Sequence, residues 1–407
     1  MGNIIGLDDI EEARKTLNNV AYNTGLVHNT TFSEMTGNSI YLKMENLQKT
    51  GSFKIRGAFN KIAHLPKKYK KKGVIAASAG NHAQGVAMAA KAYGIKATIV
   101  MPKHAPLSKI AATRGYGAEV ILHGHLYDEA YEKAREIQEE TGAVFIHPFD
   151  DPEVIAGQGT IGIEILEDLP DTDIIIVPVG GGGLISGIAV ATKSIKPDIK
   201  IIGVQSEIIA STKASLEAGK VVTVGGAKSL ADGISVKTPE DITFKYIKEY
   251  VDEVITVSED EISYAMFSLM ERSKLISEGS GAVPLAALLA NKIKVDGKKI
   301  ALLISGGNVD MAMILKIINR ELILQKRRLR FSVELQDRVG ELGALINHIG
   351  KLGANIVSVR QDTNWEEKGI DFANVVFEIE SQSKEHSLEI MKELKEKGYN
   401  IKSISLS

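Results

Sequence analysis

Lys54 stands in the run Gly51-Ser52-Phe53-Lys54-Ile55-Arg56-Gly57-Ala58, with an aromatic before it and a glycine three positions on. A lysine held in a pocket loses basicity by desolvation, and its free amine can then link covalently to an aldehyde cofactor. Taken alone, such a lysine is most often a solvated residue at a helix start. Three further segments shift that balance. The first is Val179-Gly180-Gly181-Gly182-Gly183-Leu184, at the end of an apolar run. Its glycines expose backbone N–H groups, let an anion approach closely and lead into a helix start, which makes a phosphate cradle. Neither G-x-G-x-x-G spacing nor a following Gly-Lys-Ser/Thr is present, so dinucleotide and Walker-type loops are excluded. The second is Ser78-Ala79-Gly80-Asn81-His82-Ala83-Gln84-Gly85. Ser78, Ala79, Gly80, Asn81 and His82 open a helix there, and the hydroxyl, amide and N–H groups suit a carboxylate. His82 reads as a locally hydrogen-bonded residue rather than a base. The third is Ser305-Gly306-Gly307-Asn308 after the apolar run Ile300 to Ile304, either a plain turn or a hydroxyl placed against a ligand ring.

Composition narrows the setting. The chain has 407 residues, 44% hydrophobic and 25% charged, with a net charge of −2. Two or three domains are expected at this length. The near-neutral charge gives no reason to expect nucleic acid or an anionic membrane as partner. With no cysteine, disulfides, thiolate catalysis and cysteine-bound metals are excluded. His123, His125 and His147 lack partners at zinc-like spacing, and no metal is expected. No secretory signal or membrane-spanning run is apparent, which points to the cytoplasm.

The elements that must position these residues alternate. Buried strands are expected at Val74 to Ser78, Ala97 to Met101, Glu119 to Leu122, Ala143 to Ile146, Asp173 to Val179, Lys200 to Gln205 and Lys299 to Ser305, with helical spacing between them. That is an α/β pattern with mostly parallel sheets, whose ligand sites lie beyond the carboxyl ends of the strands. A charged stretch at 321–329, including Lys326-Arg327-Arg328, reads as a linker or an exposed helix end. After it, strands at Arg330 to Gln336, Asn355 to Asp362, Phe372 to Ile379 and Asn400 to Ser405 and helices at Glu341 to Leu352 and Lys384 to Lys397 give the ferredoxin-like βαββαβ order.

The four segments, in this order, resemble the pyridoxal-phosphate (PLP) enzymes of fold type II, and within them the threonine dehydratases (threonine ammonia-lyases). The likeness spans about residues 15 to 315 and includes Met101-Pro102, Ala105-Pro106, Lys109, Gly117-Ala118-Glu119-Val120 and Leu230-Ala231-Asp232-Gly233. It implies a catalytic region over 1–320, with a smaller subdomain at about 50–150 inserted in the larger. It also implies roles. Lys54 would carry pyridoxal 5'-phosphate and move the Cα proton, and Phe53 would pack beside the ring. Asn81 would donate to a ring oxygen, Gly180, Gly181, Gly182 and Gly183 would hold the phosphate, and Ser305 would face the pyridine nitrogen. The implied reaction is deamination of L-threonine, and of L-serine, to the 2-oxo acid and ammonia. Lys213, close to Glu207, would repel a divalent cation, so Mg²⁺ is not expected to be needed.

Residues 330–407 resemble an ACT domain, with Asp337-Arg338-Val339-Gly340-Glu341-Leu342 as its first helix loop and Gly353-Ala354-Asn355-Ile356 as its helix-to-strand turn. This resemblance implies a homo-oligomer, a tetramer, whose domains pair side by side and bind isoleucine or valine at the interface as an allosteric effector, through Asp337, Gly340, Leu342 and Asn355; the alternative is a purely structural dimerisation unit. Trp365, the single tryptophan, would report such binding. The competing readings are a serine dehydratase or racemase on the same scaffold, and a non-catalytic amino-acid sensor.

Overall fold

The computed structural model describes residues 5–362 and 371–403; Trp365 lies outside them. The chain forms two compact units, 1–309 and 310–407.

In the first unit β1 (Leu26–His28), β2 (Ser39–Lys43), β7 (Ile174–Pro178), β8 (Lys200–Ser206), β9 (Glu253–Val257) and β10 (Lys299–Leu303) make a six-stranded sheet ordered β1-β2-β10-β7-β8-β9. All pairs are parallel except the β1–β2 edge. Between β2 and β7 the chain leaves this sheet to build a second, wholly parallel one ordered β5-β4-β3-β6, from β3 (Val74–Ala77), β4 (Ala97–Met101), β5 (Glu119–Leu122) and β6 (Val144–Phe145). The central strands β3, β4 and β7 are buried throughout, as parallel strands covered on both faces must be. Glu119 to Leu122, expected as a buried strand, is instead an edge strand with both ends exposed. No helix of the described residues is long and apolar enough to cross a membrane.

Three helices carry the chemistry toward one place. The helix Pro152–Asp168 is buried almost all round, with Pro152 in its first turn and the Asp151 carboxylate capping Glu153 and Val154 N–H at 3.0 and 3.3 Å. Its glycines let neighbours approach closely. A Cβ at Gly157 would sit 2.7 Å from Gly57 Cα of the helix Lys54–Ala63, and one at Gly159 would sit 2.8 Å from Gly187 O of the helix Gly183–Ile195. The Lys54 helix is further tied down by buried charges. The Arg56 guanidinium, 1% exposed, meets Glu45 at 2.8 Å and Glu164 at 2.6 Å, and the Lys43 ammonium meets Glu164 at 2.6 Å. Two cations and two anions cancel, which is what allows full burial.

The second unit starts with the helix Met311–Leu324, followed by β11 (Arg328–Gln336), β12 (Asn355–Asp362), β13 (Phe372–Glu380) and β14 (Asn400–Ser403) in the order β12-β13-β11-β14, all antiparallel. With the helices Glu341–Lys351 and Lys384–Glu396 this is the ferredoxin-like plan. Phe331, Val333, Leu335, Val375, Phe377 and Ile379 alternate inward to form its core, and the Phe331 and Phe377 rings stack at 5.6 Å. The stretch 321–329 is a helix end followed by a strand start rather than an open linker. Glu321 is buried in a helix that runs to Leu324, and β11 begins at Arg328. The charges of that stretch are drawn into pairs, such as Arg328 with Glu378 at 3.5 Å.

Candidate active site

Lys54 opens its helix directly after Phe53, whose N–H donates to Ser305 O at 3.1 Å. Ser52 bridges to Gly306, and Gly307 N–H donates to Gly51 O at 2.9 Å. The lysine segment and the loop after β10 are thus stitched together by backbone hydrogen bonds. The Lys54 ammonium donates to Pro148 O at 2.9 Å and lies 5.1 Å from the Phe53 ring centroid. Desolvation lowers its pKa to about 8, and the nearby Glu278 carboxylate opposes part of that fall.

Next to Pro148, Phe149 packs on the glycine turn. A Cβ at Gly181 would enter the Phe149 ring, and one at Gly183 would lie 2.5 Å from Phe149 O. Gly182 has φ of +91° and is the N-cap of the helix Gly183–Ile195, with no side chain capping it. The first-turn N–H groups are therefore left for an anion, as a phosphate needs.

The third segment arrives from β3. Asn81 starts the helix Asn81–Ala92, again without a side-chain cap, and a Cβ on Gly80 would meet nothing within 4 Å. Open space in front of a helix N-terminus suits a substrate carboxylate. Ser78 Oγ accepts from Gly80 N–H at 3.2 Å and shapes this turn. Asn81 Nδ2 donates to Glu278 Oε1 at 2.8 Å, and Asn81 Oδ1 accepts from Asn308 Nδ2 at 2.7 Å.

His82 keeps its backbone in the first turn of that helix and turns its ring inward. Its ring is 3% exposed and Nε2 donates to Ile146 O at 2.8 Å, across to the second sheet's far strand end. Burial, and next the Lys54 charge, push its pKa down to about 3, so the ring is neutral. His147 is likewise lowered to about 4, by burial first and Arg135 second. Ser305 is 2% exposed beside the Phe53–Lys54 peptide.

Glu278 was not anticipated from sequence. It lies between Asn81, Ser280 and Gly306 with 6% exposure, and a Cβ on Gly306 would come 2.6 Å from its Oε1. Desolvation raises its pKa, with Asp232 adding to the rise.

Lysine, free helix N-terminus, ring-side amide and buried serine converge as a phosphorylated aldehyde would require. The profile of pyridoxal-phosphate-dependent enzymes matches residues 17–306. The chain belongs to that family. It is 55% identical to the L-threonine ammonia-lyase of Thermotoga maritima over 98% of this chain and 100% of the relative. It is similar to the processed form of threonine deaminase isoform 2 from Solanum lycopersicum, with a TM-score of 0.74 and 40% identity over 77% of this chain and 86% of that one. Maize serine racemase superposes with a TM-score of 0.75 and 38% identity over 79% and 99% of the two chains. Lys54, Asn81, Gly180 to Gly183 and Ser305 are the residues of this chain that would hold the cofactor.

Within one copy the four expected effector residues are spread over both ends of the second unit. Gly340, at φ +96°, caps the helix Glu341–Lys351, and Asp337 N–H donates to Asp371 O at 2.9 Å. Leu342 packs against the core of the unit. Asn355, however, pairs with Glu380, whereas Gln336 pairs with Phe372 at the other end of β13. Eight strand residues separate those ends, about 26 Å. Antiparallel pairing, invisible in a linear reading, puts Asn355 at the opposite edge from Asp337.

Proposed function

We propose that this protein is a cytoplasmic homo-oligomeric L-threonine ammonia-lyase that converts L-threonine to 2-oxobutanoate and ammonia by α,β-elimination of water. The observation that carries this reading is Lys54, enclosed and lowered to about 8, beside a glycine-built anion cradle and Ser305. The full-length likeness to a threonine ammonia-lyase supports the choice of substrate. When bound, the cofactor supplies an electron sink that acidifies the substrate Cα–H.

The chain's residues do the rest. The Asn81 helix start, with Ser78 and Gly80, receives the substrate carboxylate and aligns the Cα–H with Lys54. A lysine of lowered basicity holds a larger share of free amine near neutral pH than an ordinary lysine, and that amine accepts the proton. Ser305 is a neutral group and cannot hold a positive ring nitrogen as a carboxylate would. Charge built up at Cα is therefore short-lived, and loss of the β-hydroxyl outruns reprotonation. The enamine that leaves hydrolyses to the 2-oxo acid and ammonia.

L-Serine is a second substrate, since one methyl in an apolar pocket gives only modest discrimination. Likeness to a serine racemase makes D-serine formation the side activity to measure. The ferredoxin-like unit acts as the regulatory part, responding to isoleucine or valine. Because Asp337 and Asn355 lie at opposite ends of one copy, the effector site draws them from two copies. The test is a 2-oxobutanoate assay with threonine and with serine, run with and without isoleucine. Threonine turnover that isoleucine alters supports the whole reading. Turnover of serine to D-serine with none of threonine would replace it by the racemase.

A further inference from the structure

The carboxylate of Glu278 lies deep in the site, and its hydrogen bonds run to Asn81 and Ser280. Its backbone N–H donates to Gly306 O at 3.0 Å, which fixes the residue at the start of the helix Gly279–Leu289. Its Oε1 accepts from Asn81 Nδ2 at 2.8 Å and Ser280 Oγ at 3.0 Å. On the other side of Asn81, the Asn308 amide nitrogen donates both to Asn81 Oδ1 at 2.7 Å and to Thr50 O at 2.8 Å. The Thr50 backbone carbonyl, which can only accept, fixes the Asn308 amino group. The Asn81 oxygen must then face Asn308, and the Asn81 nitrogen must face Glu278. One Asn81 N–H goes to Glu278, and the second has no acceptor among the described residues.

We propose that Glu278 is a positioning residue, which with Asn308 fixes the Asn81 amide so that its remaining N–H is presented to an oxygen of the bound cofactor ring. The inference rests on the reading of this site as one that holds pyridoxal phosphate. Glu278 also places a buried negative charge near the Lys54 nitrogen. The charged groups that face it are Lys54 from the helix Lys54–Ala63, Lys109 from the helix Leu107–Gly115 and Asp232 from the turn Asp232–Ile234. Lys109 and Asp232 are themselves 3.5 Å apart, so their charges largely offset one another at Glu278. Glu278 is left as the anion that favours the proton on the Lys54 nitrogen.

The test uses the full chain loaded with cofactor, and compares Glu278→Gln and Asn308→Ala with the parent. The first readout is the pH midpoint of the cofactor absorbance change without substrate, and the second is kcat and KM for threonine. Glu278→Gln removes the charge and is expected to lower the midpoint by about one pH unit, the size expected for loss of a nearby opposite charge. Its kcat should fall about tenfold, the effect of weakening one hydrogen bond of ordinary net strength, with KM little changed. Asn308→Ala leaves the charge, so its midpoint should stay at the parent value while kcat falls at least fivefold. An unmoved midpoint and kcat in Glu278→Gln would overturn the proposal. If that variant does not hold cofactor, an unchanged kcat in Asn308→Ala overturns it instead. A parent chain with no cofactor band or threonine turnover would refute the functional reading itself, which keeps the two failures apart.

Discussion

Replacing Lys54 by methionine should stabilise the cofactor-free protein while abolishing its activity. Methionine matches the length of the lysine stem but needs no hydration. In the free protein the Lys54 ammonium is desolvated, and its pKa falls from the ordinary 10.5 to about 8. At about 1.4 kcal/mol per tenfold change in proton affinity, that fall corresponds to about 3 kcal/mol against the folded state at neutral pH. Losing the hydrogen bond to Pro148 O returns about 1 kcal/mol of this. The net gain for Lys54→Met is then about 2 kcal/mol at pH 7. The pH dependence has a definite sign. Below pH 8 both folded and unfolded parent carry the proton, and the full penalty is present. Between pH 8 and 10.5 only the unfolded chain holds it, so parent stability rises with pH and the gap to the variant closes. Denaturant unfolding of both cofactor-free proteins at pH 7 and pH 10 measures this. A variant less stable than the parent at pH 7, or a gap of equal size at both pH values, would show that the amine is not held at a desolvation cost.

Other perturbations probe the parts around it. Gly181→Ala drives a methyl into the Phe149 ring, and cofactor affinity measured by absorbance titration should fall at least tenfold, by roughly 1.4 kcal/mol or more. Arg56→Met leaves Glu45 and Glu164 without their shared cation and should cost about 3–5 kcal/mol in denaturant unfolding. Ser305→Asp supplies an anion where the neutral hydroxyl stands. Threonine elimination should slow by about tenfold, and exchange of the Cα proton with solvent deuterium should rise relative to elimination.

Much of the catalytic arrangement was legible because it depends on local chemistry. A glycine run after an apolar strand has few uses other than close approach, and Gly180 to Gly183 form the turn before a helix as expected. The Ser78–Asn81 turn between β3 and its helix was readable for the same reason. Strands β1, β2 and β9 were missed. The first has three residues, the second ends on the buried Lys43, and the third begins at Glu253, so charge hid their apolar character. Glu278 was invisible for a related reason. In Ser277-Glu278-Gly279-Ser280 it looks like an ordinary helix start, and its partner Asn81 is 197 residues away. The Lys43–Glu164–Arg56–Glu45 network has no sequence period at all, since its members meet only when β2, the Lys54 helix and the helix Pro152–Asp168 pack. The His82 ring is tied to Ile146 O, so only its backbone N–H stays at the helix start.

The central claim is that Lys54 binds the cofactor and moves the substrate proton. Formation of 2-oxobutanoate from L-threonine by the full chain and by Lys54→Ala, each incubated with pyridoxal phosphate, tests it most directly. Robust turnover and a yellow cofactor band are expected in the parent, with turnover at least a thousandfold lower, about 4 kcal/mol in the barrier, and no lysine-linked band in the variant. Undiminished threonine turnover by Lys54→Ala would contradict it.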